Sequence, residues 1–196
     1  DQILLMIKNY ELKFKNKIIF TNDSSHFHNF YLYSHKLKKL FFDKIIKELY
    51  KKYFKRNYCL RNVVLTNLQK KIKKIIKLDK KTSIGSGWHR DSPQFYDMFK
   101  KSRCLTAGIT YQFIIALDDT NVENSTKLLV GSHKYQPSCH RPDKMNKKTI
   151  EKKFKKIDLV LKKGQVAIID DHLFHKTGKA NINNRKIIFI NFSPWY

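Results

Sequence analysis

Apolar residues recur at helical spacing in the first third of the chain. Between residues 35 and 54 most of them lie three to five positions apart, and lysines occupy much of the remaining surface. These apolar residues are Leu37, Leu40, Phe41, Ile45, Leu49 and Phe54. The spacing predicts an amphipathic helix that packs one face on a core. A weaker repeat of the same kind predicts a second helix over residues 65–78, and residues 11–20 are compatible with a strand pair that turns at 15–17.

The pattern changes near Thr82, where short β-rich runs alternate with glycine-containing turns. All six glycines of the chain lie in this half. The runs predicted as strands are 106–117, 127–130, 158–161, 165–170 and 186–192. Residues 162–164, Lys-Lys-Gly, predict a tight hairpin turn between the third and fourth of these strands. Several short strands separated by turns are typical of a sandwich or jelly roll, so the predicted fold class is mainly β with supporting helices.

These patterns predict one domain over residues 1–196. Residues 1–80 form a mostly helical support, and residues 82–196 form the β core. A polar, Lys-rich insertion at 137–156 interrupts that core, and its part 143–156 is expected to be a short surface helix or a mobile loop. The chain begins at Asp1 and not at Met, so we expect its N-terminus to be incomplete.

Composition narrows the class of protein. A hydrophobic content of 41% excludes a wholly disordered chain, because such chains cannot bury enough apolar surface. The apolar runs are too short to span a bilayer, so no membrane partner is expected. The three cysteines, Cys59, Cys104 and Cys139, are far apart and show no CxxC spacing. We therefore expect neither a disulfide framework nor a thiolate zinc site, and we expect a cytoplasmic location.

The charge is strongly positive, with 41 Lys and Arg against 16 Asp and Glu. The balance of +25 raises the alternative of a catalytically silent protein that binds nucleic acid or other anions on a jelly-roll scaffold. Only six of the basic residues are Arg, the residue preferred for bidentate recognition of phosphates and bases. A nucleic-acid partner is therefore not expected, and most lysines are interpreted as solvated surface.

Two histidines and a carboxylate form a candidate metal site. His89 and Asp91 are separated by one residue, and on an extended backbone such residues point to the same side. His175 follows the predicted strand 165–170 and supplies a candidate third ligand. Two imidazoles and one carboxylate on one face of a metal leave other positions open, as in non-haem Fe(II) oxygenases.

Arg185 gives this set a more specific meaning. It lies ten residues after His175, at the start of the last predicted strand, where its guanidinium can pair with the distal carboxylate of 2-oxoglutarate. Thr177 can add a hydroxyl donor to the same group. His172 is a weaker candidate ligand, because the spacing to Arg185 favours His175.

Several nearby residues have two interpretations. Asp170 and Asp171 either orient a ligand histidine or begin the loop that follows the strand. Trp88 either lines the pocket or packs in the core. His133 is interpreted as part of a turn.

The stretch from Gly87 to the C-terminus resembles the phytanoyl-CoA dioxygenase family of Fe(II)/2-oxoglutarate-dependent oxygenases. The segments that carry the resemblance are 88–91, 116–120 with Glu123 and Asn124, 131–134, and 164–185. Ser125 and Val130 depart from the family pattern, where Gly and Pro are common, and both positions affect turns.

The resemblance implies a double-stranded β-helix and a defined set of site residues. It implies iron on His89, Asp91 and His175, and 2-oxoglutarate held by Arg185 and Thr177. It also implies O2-dependent hydroxylation of a C–H bond in a small or acyl-type substrate, with release of succinate and CO2. The carboxylate of Asp91 favours hydroxylation over halogenation, because related halogenases carry a small residue there. The lysines around residues 137–156 suggest an anionic substrate, such as a CoA thioester or a phosphorylated compound.

Overall fold

The computed structural model describes residues 19–20, 24–53, 58–68, 87–90, 111–134, 147–179 and 185–194. Within these residues the chain forms two antiparallel sheets and a few short helices. The strands are β1 Ile19–Phe20, β2 Ser24–His28, β3 Tyr58–Leu68, β4 Tyr111–Ala116, β5 Thr126–Val130, β6 Lys155–Leu159, β7 Val166–Asp170, β8 His175–Lys176 and β9 Arg185–Pro194. The helices are α1 His35–Lys38, a π-helical segment Lys39–Ile46, α2 Lys47–Tyr53 and α3 Lys147–Lys153, with 3-10 turns at Phe30–Tyr33 and Ser132–Lys134.

The two sheets pack face to face. The larger has the strand order β1-β2-β3-β9-β4-β7, and the smaller has the order β6-β5-β8. Ile114 and Ile187 of the large sheet share one buried cluster with Leu128 of the small sheet. This architecture confirms the predicted fold class, a mainly β jelly roll with supporting helices. The space between the sheets is called the barrel interior below.

The predicted helix over residues 35–54 is confirmed as a continuous helical segment from His35 to Tyr53. Ser34 caps its start, since the Ser34 hydroxyl accepts a hydrogen bond from the Leu37 amide at 3.3 Å. Leu37 and Phe41 are fully buried and pack against Leu65 of β3 and its neighbours in one cluster. The helical segment therefore covers the outer face of the large sheet.

The predicted helix over residues 65–78 is wrong in its described part, because Leu65 and Leu68 end strand β3. In a strand these two residues point to opposite faces, and both are buried since β3 lies inside the sheet with both faces covered. Because Leu65 and Leu68 are both apolar and lie three positions apart, they match the spacing of a helical repeat although they belong to a strand. The start of the same strand, from Tyr58, carried no prediction, and residues 69–78 lie outside the described residues.

The turn at residues 162–164 is present, but the hairpin is wrong. Gly164 has a φ of +85°, and the Gln165 amide donates to the Lys162 carbonyl at 2.9 Å. The flanking strands nevertheless belong to different sheets, because β6 pairs with β5 while β7 pairs with β4. Asp119 holds the turn from outside: its carboxylate accepts from the Lys163 amide at 2.8 Å and from Lys162 Nζ at 3.2 Å.

The remaining strand predictions agree in position with β4, β5, β7 and β9, while β6 begins earlier than predicted, at Lys155. The predicted strand pair over 11–20 is described only at Ile19–Phe20, and residues 106–110 lie outside the described part. In the insertion, α3 is the expected helix, and its Ile150 is fully buried against Trp88, Leu129 and Phe174. In the described part of the chain, no helix is long and apolar enough to cross a membrane.

Candidate active site

His89 and His175 lie side by side on the small sheet. Each backbone amide donates to the other residue's carbonyl at 2.9 Å, which forms an isolated antiparallel bridge. The two ring centroids are 4.4 Å apart. Because His175 is the register partner of Leu128, its side chain points to the same face as Leu128, into the barrel interior.

The two imidazoles have the same orientation relative to their own backbone. His89 Nδ1 lies 2.8 Å from the Gly87 carbonyl oxygen, and His175 Nδ1 lies 2.9 Å from that of Leu173. A carbonyl oxygen only accepts, so Nδ1 carries the proton in both rings and the lone pair lies on Nε2. A hydrogen bond of this kind is how a metal-binding histidine is oriented. Backbone carbonyls thus perform the orienting role for which Asp170 and Asp171 were candidates.

Asp91, the third predicted ligand, lies outside the described residues. Within the described ones, no group of three His, Cys, Asp or Glu side chains is arranged to hold a metal ion. The structure thus brings together two of the three predicted ligands.

Arg185 is fully buried at the start of β9. Its Nη1 donates to the Thr126 hydroxyl at 3.3 Å, while Nε and Nη2 are buried with no hydrogen-bond partner among the described residues. Burial lowers the pKa of Arg185 to about 10, so the guanidinium still carries its charge at neutral pH. Two unused donors on one buried cation fit a carboxylate, and this is the observation by which 2-oxoglutarate fits the site.

The backbone places Thr177 in the same region as Arg185 and Thr126. The β5–β8 register, continued by one residue, brings Thr177 opposite Thr126. The next residue, Gly178, is held against the loop that precedes β5: a Cβ there would lie 2.5 Å from backbone atoms of residues 123–125. The Lys179 amide also donates to the Glu123 carbonyl at 2.9 Å. These contacts hold residues 178–179 against the loop before β5.

His172 is engaged away from the histidine pair. Its Nδ1 lies 3.0 Å from Asp170 Oδ1, and its amide donates to the same oxygen at 2.9 Å. Burial by itself raises the pKa of Asp170, but the hydrogen bonds from His172 outweigh it, and the pKa is lowered overall. Asp171 is fully buried and accepts from Arg61 Nη1 at 3.3 Å. Asp170 and Asp171 are thus loop residues that stabilise the approach to His175.

Glu151 of α3 connects the two histidine-bearing segments from outside and was not identified from the sequence. Its Oε1 accepts from Trp88 Nε1 at 2.7 Å and from Lys176 Nζ at 3.1 Å. Trp88 directly precedes His89, and Lys176 directly follows His175. Lys176 Nζ also lies 4.3 Å from the centre of the Trp88 ring. Trp88 is buried with Leu129, Ile150 and Phe174, so its core interpretation is the correct one.

A known protein family matches the chain over most of its length. The family model described as phytanoyl-CoA dioxygenase (PhyH) matches residues 10–186, which include all five predicted site residues. No curated protein matches the chain.

Solved structures with a similar fold include three whose sequences are distant. EvdMO1 is 22% identical with a TM-score of 0.59, over 87% of this chain and 35% of that one. SnoN, described as a non-heme alpha ketoglutarate dependent epimerase from nogalamycin biosynthesis, is 15% identical with a TM-score of 0.71, over 98% of this chain and 73% of that one. EctD from S. alaskensis, solved with 2-oxoglutarate and 5-hydroxyectoine, is 14% identical with a TM-score of 0.67, over 98% and 67%. The chain thus spans about a third of EvdMO1, and these likenesses support the jelly-roll fold.

Proposed function

The chain belongs to the phytanoyl-CoA dioxygenase family, and from this premise we propose that it is a non-haem Fe(II)/2-oxoglutarate-dependent dioxygenase that hydroxylates a C–H bond of a small or acyl-type substrate. The cofactors of the family are those predicted from the sequence: Fe(II), 2-oxoglutarate and O2. Structures of this fold include proteins described as an epimerase and a carbocyclase, so hydroxylation is the specific step that needs testing.

We assign the metal to His89, Asp91 and His175. The observation that carries the proposal is that two imidazoles with their Nδ1 atoms bonded to carbonyls share the barrel with a buried guanidinium that has two unused donors. Neutral imidazoles with their lone pairs on Nε2 are the ligand form that iron requires. Asp91 supplies the negative charge that distinguishes this set from that of the related halogenases.

We assign the distal carboxylate of 2-oxoglutarate to Arg185, with the Thr177 hydroxyl as a second donor. The Arg185 guanidinium is held by Thr126 and cannot turn toward solvent, because it is fully buried. Its role is to fix the co-substrate in one orientation and to exclude water from around it. When bound, Fe(II) with 2-oxoglutarate and O2 supplies the oxidation: one oxygen atom enters the substrate C–H bond, the other enters succinate, and CO2 leaves.

An anaerobic titration with Fe(II) and 2-oxoglutarate tests this assignment. The wild-type protein is expected to develop the weak visible charge-transfer band of a chelated 2-oxoglutarate. Asp91→Ala and His175→Ala should abolish the band, and Arg185→Ala should require at least tenfold more 2-oxoglutarate to reach it.

His172→Ala is the matched control, because the Nδ1 atom and the amide of His172 both bond to Asp170. It should retain the band. Absence of the band in wild type, or its survival at unchanged 2-oxoglutarate affinity in Arg185→Ala, would overturn the assignment. Hydroxylation itself is tested by running the reaction under ¹⁸O2, where the new hydroxyl oxygen of the product should carry ¹⁸O.

A further inference from the structure

Three carboxamide side chains form a row across adjacent strands of the large sheet. Asn191 of β9 is the register partner of Asn62 on β3 and of Gln112 on β4. Directly paired residues of antiparallel strands point to the same face. That face is the barrel interior, because Ile187 lies an even number of residues from Asn191 and packs with Leu128 of the small sheet. We call Asn62, Asn191 and Gln112 the carboxamide row.

The row is mostly buried, and the carboxamide oxygen of Asn191 is its notable atom. Asn191 and Gln112 are 5% and 1% exposed, and Asn62 is half-buried. Asn191 Nδ2 donates to Asn62 Oδ1 at 2.7 Å. Asn191 Oδ1 is buried with no hydrogen-bond partner among the described residues. Buried acceptors are rarely left unsatisfied, so this oxygen points to a donor that a ligand supplies.

The row lies at the end of the barrel where the chain approaches His175. Arg61, which precedes Asn62, donates to Asp171, and Asp171 lies four residues before His175. Arg185 is at the other end of β9, six residues from Asn191, which is about 20 Å along an extended strand. A co-substrate anchored at Arg185 would therefore leave the end of the barrel that carries the row to another molecule.

We propose that the carboxamide row binds the substrate of the proposed dioxygenase, and that this substrate is a neutral small molecule bearing hydroxyl groups. A carboxamide is uncharged and both donates and accepts, which matches a hydroxyl group. Asn191 Oδ1 requires a donor, and a fully ionised carboxylate or phosphate group offers none, so we expect no such group to lie at the row. The charge beside the row is also compensated, because Arg61 is paired with Asp171. The row thus favours a neutral substrate over the anionic one that the lysine content suggested.

The inference rests on the proposed function, and two measurements separate them. The first is succinate formation with Fe(II), 2-oxoglutarate and O2, stimulated by a panel of neutral glycosides and polyols or by a panel of CoA thioesters and sugar phosphates. The second is saturation-transfer NMR of the neutral panel with the metal-free protein, which reports binding without turnover.

Neutral compounds are expected to stimulate succinate formation, and Asn191→Leu should raise their KM at least tenfold while the Fe(II)/2-oxoglutarate band is unchanged. Asn67→Leu is the matched control: Asn67 is also buried in β3 but points to the opposite face, that of Leu65. If Asn191→Leu does not fold, Asn191→Ser should raise the KM about threefold, because a shorter hydroxyl replaces the amide.

Stimulation by the charged panel alone, no stimulation by the neutral panel, or an unchanged KM in folded Asn191 variants would overturn the inference if the band is present. If the band is absent in the wild-type protein, the proposed dioxygenase function is contradicted. The NMR measurement then tests by itself whether the carboxamide row binds the neutral compounds. Saturation transfer that Asn191→Leu removes and Asn67→Leu retains would support the row in that case, and its absence would overturn it.

Discussion

Two donor nitrogens of the buried Arg185 guanidinium have no hydrogen-bond partner in the described part of the chain, and such burial is costly. Burial lowers the pKa of Arg185 to about 10, a shift that corresponds to roughly 3 kcal/mol against the charged form in the folded, ligand-free protein. The pH dependence of this penalty follows from the direction of the pKa shift. The penalty is present at every pH below about 10 and declines only as pH rises through that value, where folded Arg185 loses its proton before the unfolded chain does.

Replacing Arg185 by Met should therefore stabilise the ligand-free protein. We expect the free energy of unfolding at pH 7 to rise by about 1–3 kcal/mol, because the apolar side chain fills a similar volume without a charge. The same variant should lose the increase in Tm that 2-oxoglutarate gives the wild type. Urea unfolding with and without 2-oxoglutarate measures both effects. A variant that is less stable without ligand would show that Arg185 is a structural residue.

Gly178 is required by a close approach of two backbone segments. Gly178→Ala places a methyl group 2.5 Å from the backbone of residues 123–125, so the loop before Thr126 must move. We expect a loss of about 2–3 kcal/mol in unfolding free energy and weaker 2-oxoglutarate binding, because Thr126 holds Arg185. Gly87→Ala is the control, since among the described residues no atom other than those of its chain neighbours lies within 4 Å of its added Cβ, and its stability should change by no more than about 1 kcal/mol. Equal losses in both variants would contradict the steric argument.

At the scale of elements, helix α3 connects the two segments that carry His89 and His175. Glu151 holds both Trp88 and Lys176, the neighbours of the two histidines. Glu151→Ala should lower the unfolding free energy by about 1–3 kcal/mol, because it leaves the Trp88 N–H without this acceptor. It should also weaken Fe(II) binding by up to about tenfold, since the outer contacts of metal-binding histidines tune metal affinity.

Glu48→Ala provides the comparison for Glu151→Ala. Glu48 lies on the helical segment, and its ion pair with Lys51 is exposed. Exposed pairs contribute little, so stability should change by less than about 0.5 kcal/mol and Fe(II) affinity should not change. Isothermal titration with Fe(II) under anaerobic conditions and urea unfolding give both quantities. Unchanged Fe(II) affinity in Glu151→Ala would show that α3 only stabilises the fold.

The elements also show what a single sequence can predict. The helix from His35 was predictable because one face is buried and the other is solvated. Strand β3 was not, because its two buried faces erase the period of two on which strand prediction depends. The turn at Gly164 was predictable from the local sequence, but the partners of β6 and β7 were not, because β6 pairs with β5 and β7 pairs with β4 in different sheets.

The same division applies to the site. His175 and Arg185 were predicted from their types and spacing, and the structure places His175 beside His89. Glu151 and the carboxamide row were not identifiable, because their meaning depends on contacts between residues 25 to 129 positions apart in sequence.

At the scale of the whole molecule, the net charge of +25 affects stability. The described acidic side chains in ion pairs include Asp119, Asp158 and Glu151, each beside a lysine. With 41 basic and 16 acidic residues, at least 25 positive charges have no acidic counterpart. Like charges on a compact surface repel each other more than on an expanded chain, so the fold carries a repulsive free energy that salt reduces.

This repulsion predicts that Tm rises with NaCl, most steeply below about 0.15 M, where the screening length is still comparable to the distances between surface charges. Thermal unfolding of the metal-free protein from about 0.02 to 0.3 M NaCl measures the trend, with KCl as a check that the effect is ionic strength and not a bound ion. Sucrose at the same osmolality, which does not screen charge, should not reproduce the steep rise at low concentration.

If the lysines instead formed a nucleic-acid site, a DNA duplex added at 0.02 M salt would raise Tm and lose that effect steeply with salt. A flat or falling Tm in NaCl without DNA would show that the lysines are compensated in the fold, which contradicts their interpretation as solvated surface charge.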